Sequence, residues 1–225
     1  MMMLVPHLRA QAAALVFSAV VLPQTSLAAT FQGEFFNVSG STRSIDDAIS
    51  SITGVAPDAT FVSTAIDYPN GDRDVIRSRR NLSTFLGADA DSLVGDGSVR
   101  VESSVFRFSG FIKLIPGVQS YSLASDDGYR LTINNTIVTE QSTPRAFRET
   151  QLDADLGTGI VPFELIFYEN FGRTGVEFFI NEDLAVPSPV SLPAGAPLIL
   201  TALGALALLR RRAKTPVQLP LAQPA

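Results

Sequence analysis

Two adjacent aspartates followed by a glycine, Asp126-Asp127-Gly128, are the residues whose types and spacing best suit specific chemistry. Neighbouring carboxylates repel each other unless a cation lies between them. Calcium takes six to eight oxygen ligands at about 2.3–2.6 Å, and sugar hydroxyls can supply some of them. The same three residues also suit a hairpin turn, in which Asp-Gly supplies a positive φ. Both interpretations, a calcium site and a hairpin turn, stay open at the level of sequence.

The residue types that are missing narrow the chemistry further. Cysteine and tryptophan are absent, and the single histidine, His7, lies in the first ten residues with all three methionines. If that segment is removed as a leader, the mature chain has neither imidazole nor thiol. This excludes Ser-His-Asp and Cys-His catalysis, the usual zinc sites and disulfides. A metal would need oxygen ligands, which points to calcium.

The charge of the central region bears on its partners. Residues 30–186 contain all 22 acidic residues and 12 of the 17 basic ones, a formal charge of 12 − 22 = −10. Such a domain repels phosphate backbones, so no nucleic-acid partner is expected. A glycosidase needs only two carboxylates, but a small single domain leaves little room for a deep cleft. Sandwich domains of this size more often bind a ligand than cleave one. By that analogy of fold we expect a binding domain and not an enzyme.

The N-terminal segment, residues 1–28, has the pattern of a secretory signal peptide. A polar start precedes an eleven-residue, largely apolar run from Ala12 to Leu22, Pro23 ends that run, and Ser26-Leu27-Ala28 is a small-x-small cleavage site. The apolar run is short for a membrane span. The alternative is a retained N-terminal anchor.

The C-terminal segment has the pattern of a membrane anchor. Residues 187–191 form a proline-containing stalk, and Leu192 to Leu209 is a run of eighteen uncharged residues. As a helix this run would reach roughly 27 Å, about one hydrocarbon thickness. Arg210, Arg211 and Arg212 follow it and predict a cytoplasmic tail over residues 213–225, with the main domain outside. The simplest interpretation is a permanent anchor over residues 192–212.

A short motif before this helix resembles the VPLPA-type sorting signals, which are relatives of the PEP-CTERM signals. The motif residues are Val190, Leu192, Pro193, Ala194 and Gly195. Ser191 stands where the pattern has proline, and thirteen residues follow the arginines. The resemblance implies that an exosortase-type membrane peptidase cuts near the motif. The protein would then reach the outer surface of the cell envelope or its polysaccharide matrix.

The region between the two ends predicts an all-β fold, an antiparallel sandwich or barrel over residues 30–186. Apolar residues recur at every second position from Phe106 to Leu114, with Gly110 as a candidate bulge, and again from Val161 to Phe167. Helix is sparse. Ser44 predicts the N-cap of one short helix, with Asp47 at the third helical position, and residues 81–86 predict another turn. Asn134-Asn135 predicts a type I′ hairpin turn.

Several segments of this region resemble the protective-antigen-like (PA-14) module. They read FQGEFFN (31–37), FSGFI (108–112), YSLASDDGYRLTINN (121–135), PFELIFYENFG (162–172) and VEF (176–178). The resemblance implies a lectin-like β-sandwich, and many members bind carbohydrate. Several lectin members hold calcium on adjacent aspartates. Carried over by motif, the calcium ligands would be Asp126 and Asp127, with Asn170 as the candidate for a further oxygen.

The same residues, with Tyr129 and Glu169, are the expected carbohydrate-binding set. Sugar recognition usually uses an exposed aromatic ring, and the candidates are Tyr68, Tyr129, Tyr168 and Phe171. Two of these assignments have plainer alternatives. Tyr129 is equally suited to the first inward position of its strand. Glu169 could form a surface ion pair with Arg173 or Arg130.

Three other aspartate pairs, Asp72-Arg73-Asp74, Asp89-Ala90-Asp91 and Asp153-Ala154-Asp155, lack the remaining EF-hand ligands and predict solvated loops. The function expected from the whole sequence is an exported, surface-sorted domain that binds a glycan or exopolysaccharide through calcium. The alternatives are a structural surface module and a protein–protein adhesion domain that uses an exposed sheet edge.

Overall fold

The structure is a computed structural model that describes residues 29–40, 42–70 and 74–189 of the 225-residue chain. The predictions for residues 1–28, for the sorting motif and for the arginine cluster lie outside the described residues. Among the helices within the described residues, none has the length and apolar character needed to cross a bilayer.

Two antiparallel sheets make up the domain, as the alternating patterns predict. The larger sheet has seven strands in the order β5-β2-β1-β6-β11-β8-β9. These strands are β1 (Phe31–Asn37), β2 (Ala59–Ser63), β5 (Val94–Gly95), β6 (Ser104–Leu114), β8 (Gly128–Ile133), β9 (Thr136–Gln141) and β11 (Gly159–Glu169).

The smaller sheet has the order β10-β7-β12-β13, and two further short strands, β3 and β4, also pair with β12. Its strands are β3 (Asp67–Tyr68), β4 (Ile76–Arg77), β7 (Gln119–Asp126), β10 (Arg148–Ala154), β12 (Arg173–Ile180) and β13 (Asp183–Leu184).

The main core lies between the inner faces of the two sheets. Phe106, Phe108, Ile112 and Leu114 of β6 are all buried, so the predicted inward face of this strand is confirmed. Gly110 pairs with Phe163 of β11 in unbroken register, so the predicted bulge is wrong. Phenylalanine fills much of this core, and the ring centroids of Phe106 and Phe108 lie 6.0 Å apart. Burial of such apolar area is the main favourable contribution to folding.

The short helix α1 (Ile45–Ile52) confirms the prediction made from Ser44. The side chain of Ser44 accepts a hydrogen bond from the backbone N–H of Asp47, at 3.1 Å. The apolar side of α1 packs on the outer face of the larger sheet, against Ile166 and Tyr168 of β11. Alternation alone places those two side chains toward solvent, but the helix buries them.

A second short helix, α2 (Leu82–Leu86), begins after Asn81, whose side chain accepts from the backbone N–H of Thr84 at 2.9 Å. A 3-10 helix over Gly87–Ser92 follows it. Asp89 in this 3-10 helix is buried and accepts a hydrogen bond from the Tyr68 hydroxyl at 2.5 Å. The prediction that Asp89 lies in a solvated loop is therefore wrong.

The connection between β8 and β9 is the predicted type I′ hairpin turn. Asn134 and Asn135 have φ values of 50° and 62°, the positive values that this turn requires at both central positions. β8 and β9 pair on either side of it.

Candidate functional site

The connection from β7 to β8 crosses from one sheet to the other within a single residue. β7 ends at Asp126, β8 begins at Gly128, and only Asp127 lies between them. β7 pairs with β10 and β12, whereas β8 pairs with β9 and β11. The two strands are not hydrogen-bonded to each other, so the hairpin interpretation of Asp126-Asp127-Gly128 is wrong. The peptide bond between Asp126 and Asp127 is cis.

The crossing explains why a glycine follows the two aspartates. Gly128 is not one of the described glycines with positive φ, so turn geometry does not require it. A Cβ at this position would lie 2.5 Å from the carbonyl oxygen of Gln141 and 2.6 Å from the ring of Tyr168. The backbone of β8 therefore approaches its neighbours too closely for any side chain at Gly128.

Sheet register brings a third acidic residue to the same place. Tyr168 of β11 is the pairing partner of Gly128, so Glu169, the last residue of β11, lies beside the crossing. Carboxylate oxygens of Asp126, Asp127 and Glu169 all lie within 4.8 Å of one another, and all three residues are buried. We call these three residues the acidic cluster, and the end of the sandwich that holds them the acidic end.

Asp127 is partly compensated by backbone donors. Its Oδ2 accepts the N–H of Asn170 at 2.9 Å, and the Ser125 hydroxyl donates to its carbonyl oxygen at 2.7 Å. Burial raises the pKa of Asp127, and the backbone N–H groups of Asn170, Arg145 and Phe171 oppose that rise. Asn170 thus contacts Asp127 through its backbone N–H. The ligand that the sequence suggested is the side-chain oxygen of the same residue.

Asp126 is less compensated. Burial, followed by the nearby charge of Asp127, raises the pKa of Asp126 to about 6. The backbone N–H of Phe147 and the more distant charges of Arg173 and Arg145 lower it. Asp126 is therefore harder to ionise than an exposed aspartate when no cation is bound.

Glu169 is the least compensated of the three. It is 0% exposed, and neither carboxylate oxygen has a hydrogen-bond partner within the described residues. Burial, then the charges of Asp127 and Asp126, raise the pKa of Glu169 to about 10. The hydroxyls of Ser78 and Thr174 lie near enough to oppose this rise, without hydrogen bonds of good geometry.

The surface ion-pair interpretation of Glu169 is wrong, because a fully buried carboxyl cannot form one. Arg130, one of the partners suggested for it, binds Glu140 and Asp46 instead, with N–O distances of 2.5 and 2.9 Å. Two orphaned oxygens of Glu169 therefore remain beside two aspartates. Buried carboxylates of this kind are normally paired or coordinate a metal.

Arg145 is a neighbour of this site that the sequence did not suggest. Its guanidinium lies 5.3 Å from the centre of the Tyr129 ring and donates to the hydroxyls of Thr150 and Ser125, at 2.8 and 3.2 Å. The Ser125 hydroxyl in turn holds Asp127. No spacing signal links residue 145 to residue 126, because the contact depends on the β9–β10 connection folding back over β7.

Of the four aromatic candidates for sugar contact, three are buried. Tyr68, Tyr129 and Tyr168 are 0% exposed, so their rings are not available to a ligand. Tyr129 occupies an inward position of β8, as the alternative interpretation of this residue predicted. Its hydroxyl lies 3.1 Å from that of Thr139. Phe171 is 68% exposed and follows Asn170 directly, at the rim of the acidic cluster.

Comparisons with known proteins identify the fold. No family model matches the sequence, and no curated protein is significantly similar to it. A domain described as the PA14 sugar-binding domain from an RTX adhesin matches with a TM-score of 0.59 and 19% identity, over 72% of this chain and 100% of that one. The PA14 domain of the antifreeze protein MpAFP matches with a TM-score of 0.60 and 21% identity, over 77% of this chain and 92% of that one.

The chain therefore has the fold of PA14 domains, which confirms the sequence resemblance at the level of architecture. At these identities the likeness concerns the fold alone. What the site does must be argued from its own residues.

Proposed function

We propose that this domain binds carbohydrate at the acidic end through a calcium ion held by Asp126 and Asp127. The observation that carries the proposal is the convergence of three buried carboxyl groups, of which Glu169 has no hydrogen-bond partner among the described residues. Without a cation these groups repel one another and are pushed toward their neutral forms. A divalent cation removes that repulsion.

The donor set fits calcium. Every candidate ligand atom in the acidic cluster is a carboxylate oxygen, and hard oxygen donors are those that calcium prefers. Asp126 and Asp127 supply two ligands, and the Asn170 side chain is the candidate for a third. Glu169 supplies a fourth or stands behind the aspartates as a buried negative charge.

A sugar is the ligand class that suits the rest of the acidic end. A bound calcium would offer coordination positions to vicinal hydroxyls. Phe171 adds an exposed aromatic face next to those positions, where the apolar face of a pyranose ring can pack. The similarity to a PA14 domain named as sugar-binding supports this choice of ligand.

Calcium titration calorimetry on the purified chain tests the metal part. We expect binding with a dissociation constant between about 1 µM and 1 mM, the range of sensor and extracellular sites. The Asp127→Asn variant should lose the heat of binding. Asp153→Asn is the matched control, because it removes an exposed carboxylate from β10, outside the acidic cluster. Equal loss in both variants, or no heat in the wild type, contradicts the proposal.

A glycan array tests the sugar part. We expect glycan binding with calcium present, its loss on chelation with EDTA, and its weakening in Phe171→Ala. Binding that survives EDTA would assign the sugar to a calcium-independent site. The absence of any glycan signal, with calcium bound by calorimetry, would favour a structural or adhesion module.

The proposed setting is the cell surface. Residues 1–28 would be removed on export, and residues 192–212 would anchor the chain at least transiently, with an exosortase-type peptidase acting near the sorting motif. These segments lie outside the described residues, and their sequence patterns support this part of the proposal. Mass spectrometry of the mature protein tests it, since the expected N-terminus is Ala29. A chain that still begins at Met1 would contradict export by this route.

A further inference from the structure

The end of the sandwich opposite the acidic cluster exposes apolar side chains, whereas the acidic end buries charged ones. β6 ends there at Leu114, β7 begins at Gln119, and β11 begins at Gly159. Five of the nine large hydrophobic side chains that are exposed in the described residues lie at this end. They are Phe111, Ile115, Val118, Ile160 and Val186, which we call the basal patch.

Sheet register and a short connection place these five residues at one end of the sandwich. Ile160 pairs with Lys113 and Pro162 pairs with Phe111, so Phe111 and Ile160 lie on neighbouring strands. Ile115 and Val118 bracket Pro116 and Gly117 in the uncharged connection between β6 and β7. Val118 is 72% exposed. Exposed apolar side chains gathered at one end of a domain mark that end as a candidate interaction surface.

The chain leaves the domain beside this surface. Ser188 donates its backbone N–H to the carbonyl oxygen of Phe111, at 2.8 Å. Val186 and Ser188 line a groove with Ile112 and Ile115. The last described residue, Pro189, therefore follows directly on a contact with the basal patch.

Very little chain separates this point from the uncharged segment. Two residues, Val190 and Ser191, lie between Pro189 and Leu192. Three Cα-to-Cα steps span at most about 11 Å, even when fully extended. If residues 192–209 are inserted in a bilayer, the basal end of the domain must therefore lie at the bilayer surface.

We propose that the basal patch docks on the lipid surface of the membrane that holds residues 192–209. The patch would place Val118 and Ile115 at the headgroup boundary, with Lys113 beside them to reach phosphates. The acidic end would then face away from the membrane, one strand length of about 35 Å above it. This inference rests on the anchoring part of the proposed function and is independent of calcium and sugar binding.

The charges near the basal patch indicate what kind of lipid contact this is. Lys113 is accompanied by the acidic residues Asp183, which lines the same groove, and the exposed Glu182. Mixed charge of this kind gives no net attraction to anionic lipid. Docking should therefore depend on apolar contact, and raising the salt concentration should leave it unchanged.

The absence of cysteine from the chain provides a direct test. Single-cysteine variants of the full chain, labelled with an environment-sensitive fluorophore, are reconstituted in phosphatidylcholine vesicles that contain a lipid-borne quencher. Val118→Cys reports on the basal patch. Phe171→Cys is the matched control, because it is an apolar residue of similar exposure, 68%, at the acidic end. Ala205→Cys reports on insertion of the C-terminal segment.

We expect strong quenching at positions 118 and 205, and several-fold weaker quenching at position 171. A second variant, Val118→Asp, should reduce quenching of a label at Ile160→Cys several-fold while quenching at Ala205→Cys persists.

Quenching at 205 without quenching at 118 overturns the proposal, as does equal quenching at 118 and 171. A label at 118 that is shielded from solvent but not quenched by lipid also overturns it, because a second copy of the chain would then cover the patch. An unquenched label at 205 overturns both docking and anchoring, and leaves the calcium calorimetry to decide the binding site separately.

Discussion

The two ends of this β-sandwich are built from the same strands and differ in the types of residue that lie where those strands begin and end. β7 and β11 run from one end to the other, beginning at Gln119 and Gly159 and ending at Asp126 and Glu169. The acidic end buries charge, and the basal end exposes apolar surface. Each arrangement costs free energy in an isolated soluble domain. The difference teaches that the two ends suit different partners, for which we propose a cation with its sugar at one end and a lipid surface at the other.

The largest expected effect concerns Glu169. Its pKa of about 10 in the folded chain lies above the ordinary value of 4.5, so the folded state binds more protons than the unfolded state between these values. Without calcium, the contribution of Glu169 to stability should therefore be greatest below about pH 4.5 and should fall as the pH rises toward 10. Each pH unit corresponds to about 1.4 kcal/mol. Glu169→Gln should stabilise the calcium-free protein by about 3 kcal/mol at pH 7.

Urea unfolding in EDTA at pH 5, 7 and 9 measures this effect. The slope with pH should flatten in Glu169→Gln and persist in Glu164→Gln, a control on the same strand whose pairing partner is Ser109. A calcium-free protein that is as stable at pH 9 as at pH 5 would contradict the electrostatic account of the acidic cluster.

Calcium should reverse the penalty at the acidic end and leave the basal end unchanged. At one hundred times its dissociation constant, a ligand that binds only the folded state adds about 2.7 kcal/mol of stability. We expect a gain of this size in thermal unfolding, its loss in Asp127→Asn, and its retention in Val118→Ser. Stabilisation of the Asp127→Asn variant by calcium would place the ion elsewhere.

The glycines of the two ends should respond differently to alanine. A Cβ at Gly128 would meet backbone and the Tyr168 ring at under 3.0 Å, so Gly128→Ala should cost about 2–3 kcal/mol by overpacking. Gly117 has a φ of +95° but no described atom within 4 Å of its Cβ position. Gly117→Ala should therefore cost only about 1 kcal/mol, from backbone conformation. Equal costs in urea unfolding would mean that the crossing at Gly128 is less tightly packed than the structure shows.

The smallest stability effects are expected at the two exposed apolar residues, Phe171 and Val118. Replacing either with serine should change the free energy of unfolding by less than about 0.5 kcal/mol, since neither contributes much to the core. Their binding effects should separate completely. Phe171→Ser should weaken glycan binding and leave lipid quenching intact, and Val118→Ser should do the opposite. A variant that lost both activities would show that the two ends are coupled.

Much of the fold could be predicted because local rules and packing agree over long stretches. The alternation in β6, the Ser44 cap and the Asn134-Asn135 turn depend on neighbours within a few residues, and all three are confirmed. The hairpin prediction at Asp126-Asp127-Gly128 failed because alternation marks where strands begin and end but not which sheet each strand joins. Asp89 failed for a related reason, since its partner Tyr68 is twenty-one residues away.

The candidate site was predictable in part. The two aspartates stand out in sequence because they are adjacent. Glu169 appeared only as a sugar contact or surface residue, and its burial depends on register between β8 and β11 and on neighbours from β12. Tyr129 and Tyr168 suited a binding surface by residue type. Both are core residues, because burying a large aromatic ring removes a large apolar area from water.

The sequence by itself determined which metal chemistry is open to this domain: with neither cysteine nor histidine after residue 7, and no methionine after residue 3, its side chains can offer a metal only oxygen ligands. It also determined that strands dominate, because a two-residue period is a local property. Only the tertiary structure decided that the acidic residues meet at one end and the exposed apolar residues at the other. That outcome depends on which strands pair and in what register, and such long-range contacts leave no fixed spacing in the chain.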